Sequence, residues 1–174
     1  MGAWDDADEA EQQQRARALA SPLRLRILRL CLHESRTNQE LADELDLNPG
    51  TLLHHVRSLV ATGFLAAEEP RSGPRGAKEI PYRATRRSWN SGVDDLGPML
   101  VETFLQEIEG LAPDELLITR LGVKLNAANR EELSARFMAL FEEYRDRPAD
   151  LDGEPISLMF AEHPEHSRSK RGPG

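Results

Sequence analysis

Residues 37–63, TNQELADELDLNPGTLLHHVRSLVATG, admit very few folds. They read as two short helices joined by a tight turn. Thr37 can cap the first helix, with Glu40 at the capping-box spacing. Leu41, Ala42 and Leu45 give that helix an apolar face. Asp46-Leu47-Asn48 supplies the turn. Asn48 is placed to cap the second helix, and Pro49 falls at its first position, where a missing N–H is harmless. Leu52, Val56, Leu59 and Val60 then recur at helical spacing, and Gly63 is a C-terminal stop.

The second helix, about 50–62, keeps a polar face of Thr51, His54, Arg57 and Ser58, flanked by Gly50 and His55. In a helix-turn-helix the second helix lies in the DNA major groove and presents such a face to it. Thr51, His54, His55, Arg57 and Ser58 are therefore the candidate groove residues. Arg57 has the reach for either a guanine edge or a phosphate.

A net charge of −8 over 174 residues looks adverse for a nucleic-acid binder. Its distribution answers the objection. Residues 15–87 hold 13 Lys+Arg against 8 Asp+Glu, whereas residues 1–14 carry five acids and no base, and residues 88–174 carry 17 acids against 9 bases. A basic middle between acidic flanks matters more for DNA than the total.

Upstream of the motif a helical pattern runs from about Gln12. It is interrupted at Ser21-Pro22, which can restart a helix with Ser21 as cap. Leu23, Ile27, Leu30 and Cys31 share one face of the second piece. Cys31, the single cysteine, reads as a buried small apolar residue and excludes an intramolecular disulfide framework. Downstream, Phe64 to Glu69 and Glu79 to Thr85 can be two strands, with Pro81 expected to hold the second at an edge or irregular position. Between them lies a turn-rich basic loop. Arg71, Arg75 and Lys78 there are the candidate phosphate contacts of a wing, contributing affinity without reading sequence.

Several consecutive motifs carry a family resemblance. Ala18-Leu19-Ala20-Ser21-Pro22-Leu23-Arg24-Leu25-Arg26-Ile27-Leu28 is followed by Glu40 to Leu45, then His55-Val56-Arg57-Ser58-Leu59, then Gly63-Phe64-Leu65. Over about residues 15–87 this run resembles the winged helix-turn-helix of ArsR-type bacterial repressors. It departs from them at Gly50 and Leu53, where members often have Ser. The resemblance implies a homodimer paired through the first helix and a helix after the wing, acting on double-stranded DNA as a repressor. Residues 88–111 suit the second role, since Pro98 can open a helix with Leu100, Phe104, Ile108 and Leu111 on one stripe, widened by Leu96, Val101 and Leu105. So broad an apolar surface needs a partner or a covering segment.

Beyond it, Leu117, Thr119, Leu121, Val123 and Leu125 alternate with Ile118, Arg120, Gly122 and Lys124, a half-buried strand pattern. A helix follows, capped by Asn126 or Asn129, with Leu133, Phe137, Leu140, Phe141 and Tyr144 as its core face and Arg147-Pro148 as its end. After a turn over Asp150 to Pro155, residues 156–161 read as a second strand. The expected fold class is thus mainly α with a small β component, a winged helix-turn-helix plus a C-terminal helix and a strand-helix-strand extension. The expected divisions are an acidic disordered N-terminus (1–11), the winged domain (12–87), a helical dimerisation segment (88–112), an α/β extension (113–162) and a disordered tail (163–174).

Other chemistry finds little footing. Many ArsR-type repressors sense metals through cysteine pairs or His/Asp clusters. Here there is one cysteine, and His163 and His166 are separated by Pro164, so neither a metal nor a cofactor is expected. No phosphate loop, dinucleotide fingerprint, nucleophile elbow or zinc-protease motif occurs, and adjacent His54 and His55 point about 100° apart on a helix, so no enzyme is expected. There is no apolar run of about 20 residues and no basic apolar leader, so the expectation is a cytoplasmic protein without a membrane partner. A small-molecule or protein effector is compatible with the sequence. So is a different class of function, a winged-helix protein-interaction module or adaptor without specific DNA binding.

Overall fold

The computed structural model describes residues 9–73, 76–91 and 96–164. The chain divides into two units, Met1–Leu111 and Ala112–Gly174. The fold is mainly α with a small antiparallel β component.

The first unit is built around one core. Helices α1 (Glu9–Leu19), α2 (Pro22–Leu30), α3 (Asn38–Glu44), α4 (Pro49–Ala61) and α5 (Gly97–Ile108) surround it, with strands β1 (Arg36–Thr37), β2 (Leu65–Ala67), β3 (Arg71–Ser72), β4 (Lys78–Glu79) and β5 (Pro81–Ala84). Leu19, Ile27, Cys31, Leu41, Leu52, Val56, Leu59, Phe64 and Leu65 are essentially sealed from solvent. Burying each large aliphatic or aromatic side chain stabilises the fold by about 1.5–3 kcal/mol. Helix α1 opens earlier than expected, at Glu9, so residues 9–11 are helical, while residues 1–8 lie outside the description.

Local details of α2 differ from the sequence reading. Ser21 has extended backbone ahead of Pro22, but its hydroxyl makes no cap; its carbonyl accepts from the Leu25 N–H at 3.1 Å instead. The buried face of α2 is Leu25, Ile27 and Leu28, continuing to Cys31, whereas Leu23 and Leu30 are only half-buried. The core lies on two sides of this short helix, so a single stripe does not describe it. Burial pushes the Cys31 thiol up to about 11, as an apolar environment should.

The two helices of the central motif are closed by the same device. After α4, Gly63 at φ 73° lets Phe64 N–H donate to Leu59 O at 2.9 Å and Gly63 N–H to Val60 O at 3.0 Å. After α3, Asp46 takes the left-handed conformation (φ 51°), and Leu47 N–H donates to Ala42 O at 2.9 Å. Both are Schellman closures, which satisfy orphan helix carbonyls and turn the chain sharply.

Strand β5 lies between β1 and β2 in a three-stranded antiparallel sheet, with Arg36 opposite Tyr82, Thr37 opposite Pro81, and Leu65, Ala66 and Ala67 opposite Ala84, Arg83 and Tyr82. Pro81 therefore opens a central strand, not an edge one. At that first position its missing N–H costs no ladder bond, and its carbonyl still accepts from Glu68 N–H at 2.9 Å. Strand β1 was not foreseen: its two residues are half of a ladder whose other half lies 44 residues on. The wing hairpin is a separate pair, with Arg71 opposite Glu79 and Ser72 opposite Lys78.

Among its described residues the second unit contains one regular element, α6 (Ala127–Asp146). Asn126 caps it, accepting from Asn129 N–H at 2.8 Å, and Arg147 ends it. The two expected flanking strands do not form: residues 112–126 and 147–164 hold no strand. A strand exists only through its ladder, and here Phe160 and Glu162 instead contact α6. There Phe160 stacks on Phe137 with centroids 4.2 Å apart, and Glu162 accepts from Arg130 and from Ser134. No described residue of 112–164 is buried.

Candidate nucleic-acid interface

Helix α4 is positioned by caps at both of its neighbours. Thr37 and Glu40 make the full capping box at the start of α3: Glu40 N–H donates to Thr37 Oγ1 at 3.2 Å and Thr37 N–H to Glu40 Oε2 at 2.8 Å. Asn48 caps α4 by accepting from Gly50 N–H at 2.8 Å. Asn38 then reaches across, its Nδ2 donating to Pro49 O at 2.9 Å. This bond locks the start of α3 to the start of α4 and sets their crossing. Asn38 escaped the sequence reading because nothing local marks an 11-residue side-chain to backbone bond.

The outward face of α4 carries Thr51, His54 and Arg57, all exposed, at intervals of three that keep them on one side of the helix. Leu52, Val56 and Leu59 occupy the opposite, buried side. His55 and Ser58 are half-buried and sit at the flank. Leu53 is also half-buried, so its apolar side chain is not a fully solvent-facing gap in the polar surface.

His55 faces α2. Its Nδ1 lies 3.5 Å from Arg24 Nη1, and burial first, then the Arg24 and His54 charges, hold its imidazole below the ordinary histidine range. Arg24 is committed inward. It donates through Nε to Ala18 O and through Nη2 to Arg17 O, both at 2.5 Å, satisfying the carbonyls at the end of α1. Burial lowers its pKa from the usual guanidinium value. Arg24 thus links α1, α2 and α4.

The wing residues divide. Lys78 is exposed on β4. Arg71 on β3 pairs through Nη2 with Glu40 Oε1, so the capping carboxylate of α3 also holds the wing. That pair is exposed on both sides, and such pairs contribute about 0–1 kcal/mol. The Glu40 carboxyl is held below the usual carboxylate range, first by the Thr37 N–H and also by Arg71. Arg75 lies outside the described residues. A further exposed tie, Arg83 to Glu68 at 2.8 Å with Arg83 Nη1 donating to His33 O at 2.9 Å, fixes β5 against β2 and the end of α2.

Residues 19–67 match the model of the helix-turn-helix domain family, covering α2 through β2. The chain carries a helix-turn-helix domain. Strands β2 to β5 give it a wing, so the architecture is a winged helix-turn-helix, in line with the ArsR-type resemblance of residues 15–87. No curated protein matches the chain. Among solved structures it is similar to NolR from Sinorhizobium fredii, at 28% identity over 60% of this chain and 90% of that one, with a TM-score of 0.38. It is similar to an ArsR-like transcriptional regulator from Rhodococcus sp. RHA1 (19% identity, 80% and 94% covered, TM-score 0.40). The homodimeric winged helix-turn-helix DNA-binding domain Mb0332 from Mycobacterium bovis, a possible ArsR-family regulator, is similar at 20% identity, 69% and 100% covered, TM-score 0.39. Among the described residues of the helix-turn-helix domain and its extension, no group of three or more His, Cys, Asp or Glu side chains could hold a metal, and no helix is long and apolar enough to cross a membrane.

Proposed function

We propose that this chain is a sequence-specific, DNA-binding transcriptional regulator that works in the cytoplasm as a homodimeric repressor on a palindromic operator. The observation that carries the reading is the outward face of α4: Thr51, His54 and Arg57 stand exposed on the second helix of a helix-turn-helix whose other side is fully engaged in the core. Two such helices would enter successive major grooves with centres about 34 Å apart. His55 and Ser58 would meet the groove edge, and Lys78, Arg75 and Arg71 would hold the backbone, Arg71 by exchanging Glu40 for a phosphate.

Selection of bound fragments from a random duplex pool tests this directly. The expected product is a palindromic consensus with half-sites about one turn apart. Binding should fall steeply with salt, since each neutralised phosphate releases counterions. Arg57→Ala is expected to cost about 1–3 kcal/mol on the selected site if the guanidinium reads a base, and to weaken specific and random duplexes equally if it holds a phosphate. No enrichment and no shifted duplex at low salt would favour an interaction module in place of a regulator, a reading to which the −8 charge and the Arg71–Glu40 pair lend some support.

A further inference from the structure

The second unit has the composition of a folded segment and none of the burial. Twelve large apolar residues between Leu117 and Met159 are exposed, Leu117 at 94% and Leu121 at 78% among them. Together they offer on the order of 1,000 Å², against about 800 Å² that one partner contributes to a standard protein interface. Residues 112–174 carry 12 Asp+Glu against 9 Lys+Arg, a net negative balance that disfavours a duplex or an anionic membrane as the cover.

The backbone is equally unpartnered. Residues 117–125 form no strand, and no hydrogen bond to their backbone occurs among the described turns, loops and ladders. Yet the sequence alternates as a strand's does: extended, it would set Leu117, Thr119, Leu121, Val123 and Leu125 on one face and Ile118, Arg120, Gly122 and Lys124 on the other. An alternating segment with a free edge is a template for another strand.

The sequence limits which strand that can be. If the segment pairs antiparallel with itself across a two-fold axis, apolar faces coincide only when the axis passes through a residue. An axis at Arg120 sets the two copies of Arg120 opposite each other. An axis at Gly122 sets Arg120 opposite Lys124. An axis at Leu121 sets Leu117 opposite Leu125, Ile118 opposite Lys124, Thr119 opposite Val123 and Arg120 opposite Gly122. That register pairs all nine residues, keeps every apolar position against its own face, and places no like charges opposite.

We infer that residues 117–125 form an antiparallel ladder with the same segment of a second copy of this chain, centred on Leu121, and that the second unit acquires its core only in that dimer. The inference deepens the homodimer of the proposed regulator and rests on it. It adds an interface separate from the α5 stripe, and it makes the extension a dimer-specifying module.

Disulfide trapping in the full chain reads the register. Directly opposite antiparallel residues are about 4.5–5.5 Å apart at Cα, within the roughly 4.4–6.8 Å that a disulfide spans. Cys31 is buried and does not compete. Leu121→Cys should convert most of the protein to a covalent dimer under mild oxidation. Thr119→Cys and Val123→Cys should each cross-link at less than a tenth of that yield, since each is offset from its own copy by about 14 Å along the strand. The Thr119→Cys/Val123→Cys double variant should cross-link as well as Leu121→Cys. As a second measurement, Leu121→Asp should raise the dimer dissociation constant at least tenfold in sedimentation. A dimer that leaves Leu121→Cys uncross-linked, or cross-links equally at all three single positions, overturns the inference while the regulator stands if the same sample still shifts its selected duplex. A monomeric chain, alone or held by a different protein, overturns the inference and the homodimer together. Duplex binding then decides separately whether the chain is a DNA-binding regulator.

Discussion

Helices α4 and α6 begin alike. Each is preceded by an asparagine with extended backbone whose side chain accepts from a backbone N–H at 2.8 Å, Asn48 from Gly50 and Asn126 from Asn129. Each repeats apolar residues at helical spacing. After that they diverge. Helix α4 seals Leu52, Val56 and Leu59, whereas α6 leaves Met138, Leu140 and Tyr144 exposed and buries no residue. Caps and periodicity specify a helix; they do not specify a core. The core of the first unit exists because α2, α3 and strand β2 close on α4, and α1 and α5 in turn pack on α2. In the second unit Phe160 stacks on Phe137 of α6 and Glu162 pairs with its Arg130, and neither contact buries a residue of the helix.

The largest expected effect would break the comparison if it failed. Phe64 is 1% exposed beneath the helix-turn-helix, so Phe64→Ala should destabilise the first unit by about 3–5 kcal/mol. That corresponds to a fall in its melting temperature on the order of 15 °C. Leu151 is fully exposed, and Leu151→Ala should leave the same transition unchanged to within about 0.5 kcal/mol. Thermal melts followed by circular dichroism measure both. Comparable losses in that transition from the two would mean that Leu151 belongs to the same cooperative core as Phe64.

A smaller effect sharpens it. Asn48→Ala removes a cap from a helix embedded in the cooperative core and should cost about 1 kcal/mol of global stability. Asn126→Ala removes the same bond from α6. It should reduce helix content and amide protection there, and leave the unfolding midpoint of the first unit where it was. Hydrogen exchange on both variants separates the outcomes, and a shared midpoint shift would show the two units folding as one.

What the sequence disclosed follows the same division. The capping box, the Asn48-Pro49 start and the Gly63 stop are local, set by residues within a few positions, and all are present in the structure. The exposed trio Thr51, His54 and Arg57 follows from period alone, because the alternate positions are apolar. Long-range ties stayed hidden: β1 needs β5, Asn38 needs Pro49, Arg24 needs the end of α1, and Arg71 needs Glu40. Local charge and propensity point elsewhere in each case, Arg71 toward solvent and Pro81 toward an edge. The strand pattern of 117–125 is genuine alternation with no ladder inside the chain, which is why periodicity named a strand that the single chain does not form.

The smallest expected effect concerns Glu40 and is read as a pH difference. Its folded carboxyl titrates below the ordinary glutamate value because the Thr37 N–H, and then Arg71, favour the ionised form. The unfolded state therefore binds a proton first as the pH falls. The resulting stabilisation is complete above the ordinary glutamate value of about 4.3 and is lost as the pH drops through the lowered folded value. Glu40→Gln keeps an amide oxygen for the Thr37 N–H and removes the titration. The stability gap between the wild type and Glu40→Gln, from denaturant melts at matched pH, should thus be widest near neutrality and close on acidification below about pH 4. Carboxylates common to both proteins, Glu68 among them, cancel in the difference. Glu162 supplies the counterpart in the second unit: its carboxyl is also lowered, by Ser134 and then Arg130, yet it is tied to a helix outside the core. Glu162→Gln should leave the pH dependence of the first unit's transition untouched. A gap for Glu40→Gln that stays constant with pH would assign the residue's contribution to helix capping alone, without charge, and a gap for Glu162→Gln that follows pH would join the two units into one cooperative block.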